Sequence, residues 1–328
     1  MKRVFIANFG RENYEWPNCL ERSTVATMNS VETHGFWLAG DREGFIRACM
    51  EHEKSHRGII VPTKAVASRW FNLMTIIAET TGDIWIHREK GELWWTESLA
   101  EPATFGFSSD PTGQTPKPVY VCHKPCKPWS KTSEKGHRLD WNSLHPKARD
   151  FLSTEATLQQ LSTDYAEYAL ALVQGDDLSP WHDSTRWKEK ASKRPASPVE
   201  SFSDLQVSAY RMAKTAWDTT QNANGQEVLQ RIKNKDFGFA NEDALRLYIE
   251  DLHQMQEGLC ALTGIPMQLD RNCDDEELKC SLDRIDSNGH YAPGNLQLVC
   301  RFANRWKSDS ENADFMRLID LVRDTSGL

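Results

Sequence analysis

Apolar and polar positions alternate through DIWIHREKGELWWTES (residues 83–98), with Lys90-Gly91 between the two runs. Alternation sends successive side chains to opposite faces of an extended chain. A Lys-Gly pair fits the positive φ of a tight turn, so the stretch predicts a β-hairpin. VFIANFG (residues 4–10), GIIVPT (58–63) and VYVCH (119–123) predict further short strands. ASRWFNLMTIIAETTG (67–82) has helical periodicity that stops at Gly82. Residues 145–175 read as helical, with Leu152, Leu158, Leu161, Tyr165, Tyr168 and Leu172 at helix-like spacing. Further on, residues 204–221 predict a helix capped by Ser203, GQEVLQRIKNK (225–235) a second, and residues 241–258 a third, capped by Asn241 and closed near Gly258.

Between these blocks, residues 176–202 hold three prolines, many serines and the basic residues Arg186, Lys188, Lys190, Lys193 and Arg194. This composition predicts a linker, either solvated or touching phosphates. The expected organisation is an α+β targeting domain over residues 1–175, the linker over 176–202, and a helical lead-in with a C-terminal module over 203–328.

The chain has 328 residues, a length suited to about two domains. No run approaches the roughly 18–20 apolar residues of a membrane span. The opening MKRVFIANFGREN turns polar too soon for a secretory signal, so a cytoplasmic location is expected. In that compartment the eight cysteines are expected as thiols. The net charge of −8 argues against a tight, non-specific DNA coat but leaves room for a local basic patch.

The densest chemistry lies in SLDRIDSNGHYAPGNLQLVC (residues 281–300). SLDRI and NLQLV alternate like paired strands, SNGHYAPG turns between them, and RFANRWK continues as a helix. Asn295 opens the second strand, Asn304 follows Cys300 by four residues, and Lys307 comes three further on. Upstream stand Cys260, Leu262-Thr263-Gly264 and Asp283. This ordered set, with its core over residues 255–312, resembles the HNH endonucleases. The resemblance implies a ββα-metal fold, hydrolysis of DNA phosphodiester bonds, and Mg²⁺ or Mn²⁺ as cofactor. Mg²⁺ takes oxygen ligands and keeps several waters, so two protein oxygens plus a substrate phosphate suffice. Asp283 and Asn304 are expected to supply them, Asn295 to close the loop and orient the base, and Arg305 and Lys307 to neutralise phosphate.

The chain departs from that pattern at Arg284, where the family has His directly after the strand Asp. Arginine stays protonated and cannot serve as a general base. His290, six residues on, is the expected replacement, and packing beside Tyr291 is its alternative role. Arg284 then becomes a phosphate clamp. Asp286 shares a strand face with it, as its partner or as a further metal ligand. The second Cys of each zinc-binding Cys-x-x-Cys pair is replaced, by Thr263 and Ala303. Cys260, Cys273, Cys280 and Cys300 are irregularly spaced, so structural Zn²⁺ is not expected. CHKPC (122–126) is expected as a loop.

The small sheet and aromatic hairpin of the first domain are compatible with base-reading domains of the PUA or EVE type. In that case Trp85, Trp94 and Trp95 line a pocket; otherwise they fill a core. The opening MKRVFIANFGRENYEWPNC, taken with the C-terminal segment, resembles the HNH component of type II Zorya anti-phage systems. That resemblance implies phage DNA and a membrane-embedded motor complex as partners. The expected function is a metal-dependent DNA endonuclease in defence or restriction. The alternatives are a modification-dependent restriction nuclease and an inactive HNH-fold nucleic-acid-binding protein.

Overall fold

The computed structural model describes residues 2–55, 58, 60–112, 116–192, 203–223, 226–228, 231–233 and 236–325. Helices and strands mix throughout, giving an α+β protein. Two units are distinguished: Met1–Cys49 with Ala67–Pro195, and Met50–Val66 with Ala196–Leu328. The chain first forms β1 (Val4–Ala7), α1 (Trp16–Arg22), β2 (Thr24–Ser30), α2 (Val31–Leu38), α3 (Arg42–His52) and α4 (Lys64–Glu79). Then follow β3 (Ile84–Glu89), β4 (Glu92–Glu97), β5 (Thr104–Asp110), β6 (Lys117–Pro125), α5 (Pro146–Arg149), β7 (Leu158–Gln160), α6 (Thr163–Gln174), α7 (Ser179–His182) and α8 (Thr185–Ser192).

Among the described residues, the first unit holds two sheets, ordered β4-β3-β1-β7 and β2-β6-β5. β1 runs parallel to β3 and antiparallel to β7. Its alternation feeds two cores: Val4 and Ile6 pack with Leu152, Tyr168 and Trp187, while Phe5 and Ala7 pack with Val25, Val121 and Trp85. A strand covered on both faces reads as an unbroken apolar run, as VFIA does. The predicted hairpin is β3–β4, with Lys90 at φ 46° and Gly91 at φ 82°. Trp85 is fully buried against Phe5, and Trp94 and Trp95 pack on the same cores, so these three fill cores instead of lining a base pocket.

Several expectations are corrected. Residues 58–63 form no strand among those described; the Ser55 backbone exchanges hydrogen bonds with Ile60 and Gly58 instead. The helical reading of 145–175 is interrupted, because Leu158 lies in strand β7, paired with Ala7. CHKPC is no free loop: Cys122 lies in β6, and both thiols are buried and pushed up to about 12 by desolvation. The expected linker is folded through Ser192, since α7 and α8 carry Trp187 into the core. Of its basic residues, Lys188 pairs with Asp183 and Lys190 with Asp150, whereas Lys193 and Arg194 lie outside the described residues.

The second unit continues with α9 (Asp204–Ala223), β8 (Gln226–Val228), β9 (Arg231–Lys233), α10 (Glu242–Met255), β10 (Cys280–Arg284), β11 (Leu296–Cys300), α11 (Arg301–Lys307) and α12 (Asn312–Thr325). Ser203 Oγ accepts from Gln206 N, and Asn241 Oδ1 from Ala244 N, so both expected caps form. The helix expected over 225–235 is replaced by the antiparallel pair β8–β9. Residues 50–66 fold with this unit, and the Ser55 hydroxyl donates to Asp251 Oδ2 at 2.6 Å.

Candidate functional site

β10 and β11 pair antiparallel from Cys280↔Cys300 to Arg284↔Leu296, and α11 follows β11 without a break. The result is a ββα arrangement across the expected residues. The connecting loop is closed by ordinary turn chemistry. Ala292-Pro293-Gly294-Asn295 turns with Gly294 at φ 86° and Asn295 N on Ala292 O, which suits Pro then Gly at the two central positions. Asn295 then spends its whole side chain on the loop. Its Oδ1 accepts from Asp286 N at 2.8 Å, and its Nδ2 donates to Asp286 O at 3.2 Å and His290 O at 2.9 Å. A Cβ on Gly289 would stand 2.7 Å from that Nδ2, so the tight approach requires glycine there.

Asp283 lies on β10 and is buried. Its Oδ2 accepts from Gln297 Nε2 at 2.8 Å and sits 3.2 Å from Lys307 Nζ. Lys307 is also buried, donating to Arg284 O at 2.8 Å and Ser287 Oγ at 3.3 Å. Burial of a lysine demands this kind of pairing, because an isolated ammonium in a low-dielectric interior is very costly. Lys307 is therefore not the phosphate contact expected of it; it is the internal counter-ion of Asp283. Ala303, one helical turn earlier, is buried on the same stripe.

Asn304 is the other residue expected at a cation. Its Nδ2 donates to Ser281 Oγ at 2.8 Å and Leu282 O at 3.2 Å, tying α11 to β10. Asp286 Oδ1 caps the loop by accepting from Asn288 N at 2.8 Å. Among the described residues, no group of three or more His, Cys, Asp or Glu is arranged to hold a metal ion. The donors expected for Mg²⁺ do not fit one in this arrangement: Asp283 is engaged by Gln297 and Lys307, and an ammonium occupies the oxygen-lined space beside it. Cys260, Cys280 and Cys300 are buried close together, with Cys300 N donating to Cys260 Sγ at 3.3 Å, while Cys273 is only half-buried.

Arg284 does not point to solvent as a free clamp. It donates to Gly289 O at 2.6 Å and lies 5.3 Å from the centre of the Tyr291 ring, bracing the loop. His290 is half-exposed, and its Nδ1 accepts from Asp236 N at 3.0 Å. An imidazole accepting at Nδ1 carries its neutral-form proton on Nε2, so its one basic lone pair is occupied by that amide. His290 and its neighbour are thus tied to residues 236–238, where Tyr291 N meets Asp236 O and Gly238 N meets Tyr291 O. Arg305 is exposed and paired with Glu277, and Arg301 with Glu276 at 2.8 Å.

The linear pattern assigns no role to Gln297, although it bridges Asp283 and Asn312 from a buried strand position. A polar residue midway through the apolar run LQLVC was the available signal. Comparison with protein-family models, curated proteins and solved structures found no match.

Proposed function

We propose that the second unit is an HNH-type endonuclease module that hydrolyses DNA phosphodiester bonds, with restriction or anti-phage defence as its setting and phage DNA as its substrate. The observation that carries this reading is the register of α11 on β10. Asn304 sits against Ser281 and Leu282, Lys307 against Asp283, over a loop that Asn295 closes. In this reading Arg284 and Asn295 hold the loop, and His290 takes a proton from water once its Nδ1 leaves the Asp236 amide. Arg301 and Arg305 exchange their glutamates for phosphates. A membrane-embedded motor complex remains a proposed partner on the resemblance alone.

The second reading is a nucleic-acid-binding module that does not cleave. The buried Asp283–Lys307 pair and the arginine at position 284 favour it.

Supercoiled plasmid incubated with the full chain in Mg²⁺, Mn²⁺ or EDTA separates the two. Nicking that Asn304→Ala and His290→Ala abolish supports the hydrolase. DNA binding without nicking in any arm sinks it and leaves the second reading.

A further inference from the structure

The first unit carries an aromatic cavity built from none of the residues of the β10–β11–α11 site. It has a volume of about 420 Å³ and is lined by Val31, His34, Gly35, Leu38, Phe105 and Tyr120. His34 stacks on Tyr120 with ring centres 4.4 Å apart and lies 5.4 Å from Phe105. The imidazole is 4% exposed, yet its Nδ1 has no hydrogen-bond partner. Across the sheet Tyr120 pairs with Asn29, also buried, whose Nδ2 is unpartnered too. Buried polar atoms are almost always satisfied, so both orphans require an explanation, and that of His34 lies in the cavity wall. Burial lowers the His34 pKa, so the ring is neutral near pH 7 and offers both a donor and an acceptor.

Two features show that the space is kept open. Gly35 lies inside α2, where glycine is disfavoured relative to alanine, and a Cβ there would meet nothing within 4 Å. Phe105 and Phe107 alternate along edge strand β5 and are 38% and 69% exposed, although aromatic rings are ordinarily buried. Phe107 also lies edge-on to Tyr120 at 5.8 Å.

We propose that this cavity binds a nucleobase, held against Phe105 and the edge of the His34–Tyr120 stack, in the space beside Gly35. A flat heterocycle uses aromatic faces and also carries in-plane donors and acceptors. A small side-chain rotation would bring His34 Nδ1 to those atoms; an aliphatic occupant would leave it unsatisfied. The site does not depend on the hydrolase reading, since it lies in the other unit and needs no cleavage.

The probe is 2-aminopurine, whose fluorescence is quenched on stacking, offered to the full chain in EDTA as the riboside and within a single-stranded oligonucleotide. Saturable quenching is expected. Phe105→Ala should weaken it roughly tenfold or more. Gly35→Leu should block the cavity while leaving thermal unfolding unchanged or raised, which separates occlusion from misfolding. A tighter oligonucleotide assigns the base to a nucleic-acid strand; equal affinities assign it to a free nucleoside or nucleotide. Absence of saturable quenching with either probe overturns the site. So does quenching unchanged in both variants, or displacement by indole as effective as by adenosine.

Discussion

Lys307 Nζ and Asp283 Oδ2 lie 3.2 Å apart, and both side chains are almost wholly buried. Breaking a buried pair by removing one partner leaves an uncompensated charge, at a cost of about 3–5 kcal/mol. Lys307→Met is expected to lower unfolding stability in urea by about that amount, and Asp283→Leu combined with Lys307→Met to recover most of it. A Lys307→Met protein as stable as its parent would contradict the pair.

The loop from Asp286 to Asn295 should depend on one side chain. Asn295→Ala removes three hydrogen bonds at net contributions near 1 kcal/mol each, so a loss of about 1–3 kcal/mol is expected. Amide exchange at Asp286 should accelerate, and Gly289→Ala should do the same by displacing the Asn295 amide. Unchanged exchange in both variants would show that the loop is held by something else.

Acid should weaken the first unit before carboxylates titrate. His87 is fully buried between Phe9 and Trp16, with Nδ1 on Ala7 O at 2.9 Å and Nε2 without a hydrogen bond, 3.9 Å from Glu89 Oε2. Burial depresses its pKa from 6.5 to about 4. The unfolded chain therefore binds a proton that the folded chain refuses, and stability falls as pH drops from about 6.5 to about 4. The full effect is about 3 kcal/mol. His34, His145 and His182 are shifted the same way by burial and add to the slope. Urea midpoints at pH 7.5 and 4.5, with the His87 ring followed by NMR, measure it; a flat profile across that window contradicts a neutral His87.

Trp187 belongs to the core, so Trp187→Ala should cost about 3–5 kcal/mol. Limited proteolysis of the parent should spare residues 179–192. Rapid cutting there would restore the linker reading.

Where local chemistry decides the conformation, the sequence is readable. Lys90-Gly91 sits in a turn needing positive φ, Asn241 caps α10, and Pro293-Gly294 turns the chain into β11. Where distant partners decide, it misleads. Leu158 sits at helical spacing but is drawn into pairing with Ala7. Trp187 stands in a charged, proline-bearing stretch, and only the three-dimensional core shows why an indole is there. At the site, the strands, helix and Asn295 are legible. The direction in which Lys307, Arg284 and His290 point is not, because it depends on β10 and on Asp236. The cavity beside His34 had no signal in the linear pattern, since α2, β5 and β6 build it jointly.

The hydrogen bond from Ser55 to Asp251 spans 196 residues. At roughly 5–20 residues per second, a ribosome delivers the acceptor about 10–40 s after the donor. The segment from Met50 to Val66 therefore waits through synthesis of the larger part of the first unit, residues 67–195, before its own neighbours exist. Cutting the chain once near residue 196 would strand that segment on the wrong fragment. The second unit is thus stitched into the protein at both ends of its history, and its expression alone calls for grafting residues 50–66 onto it.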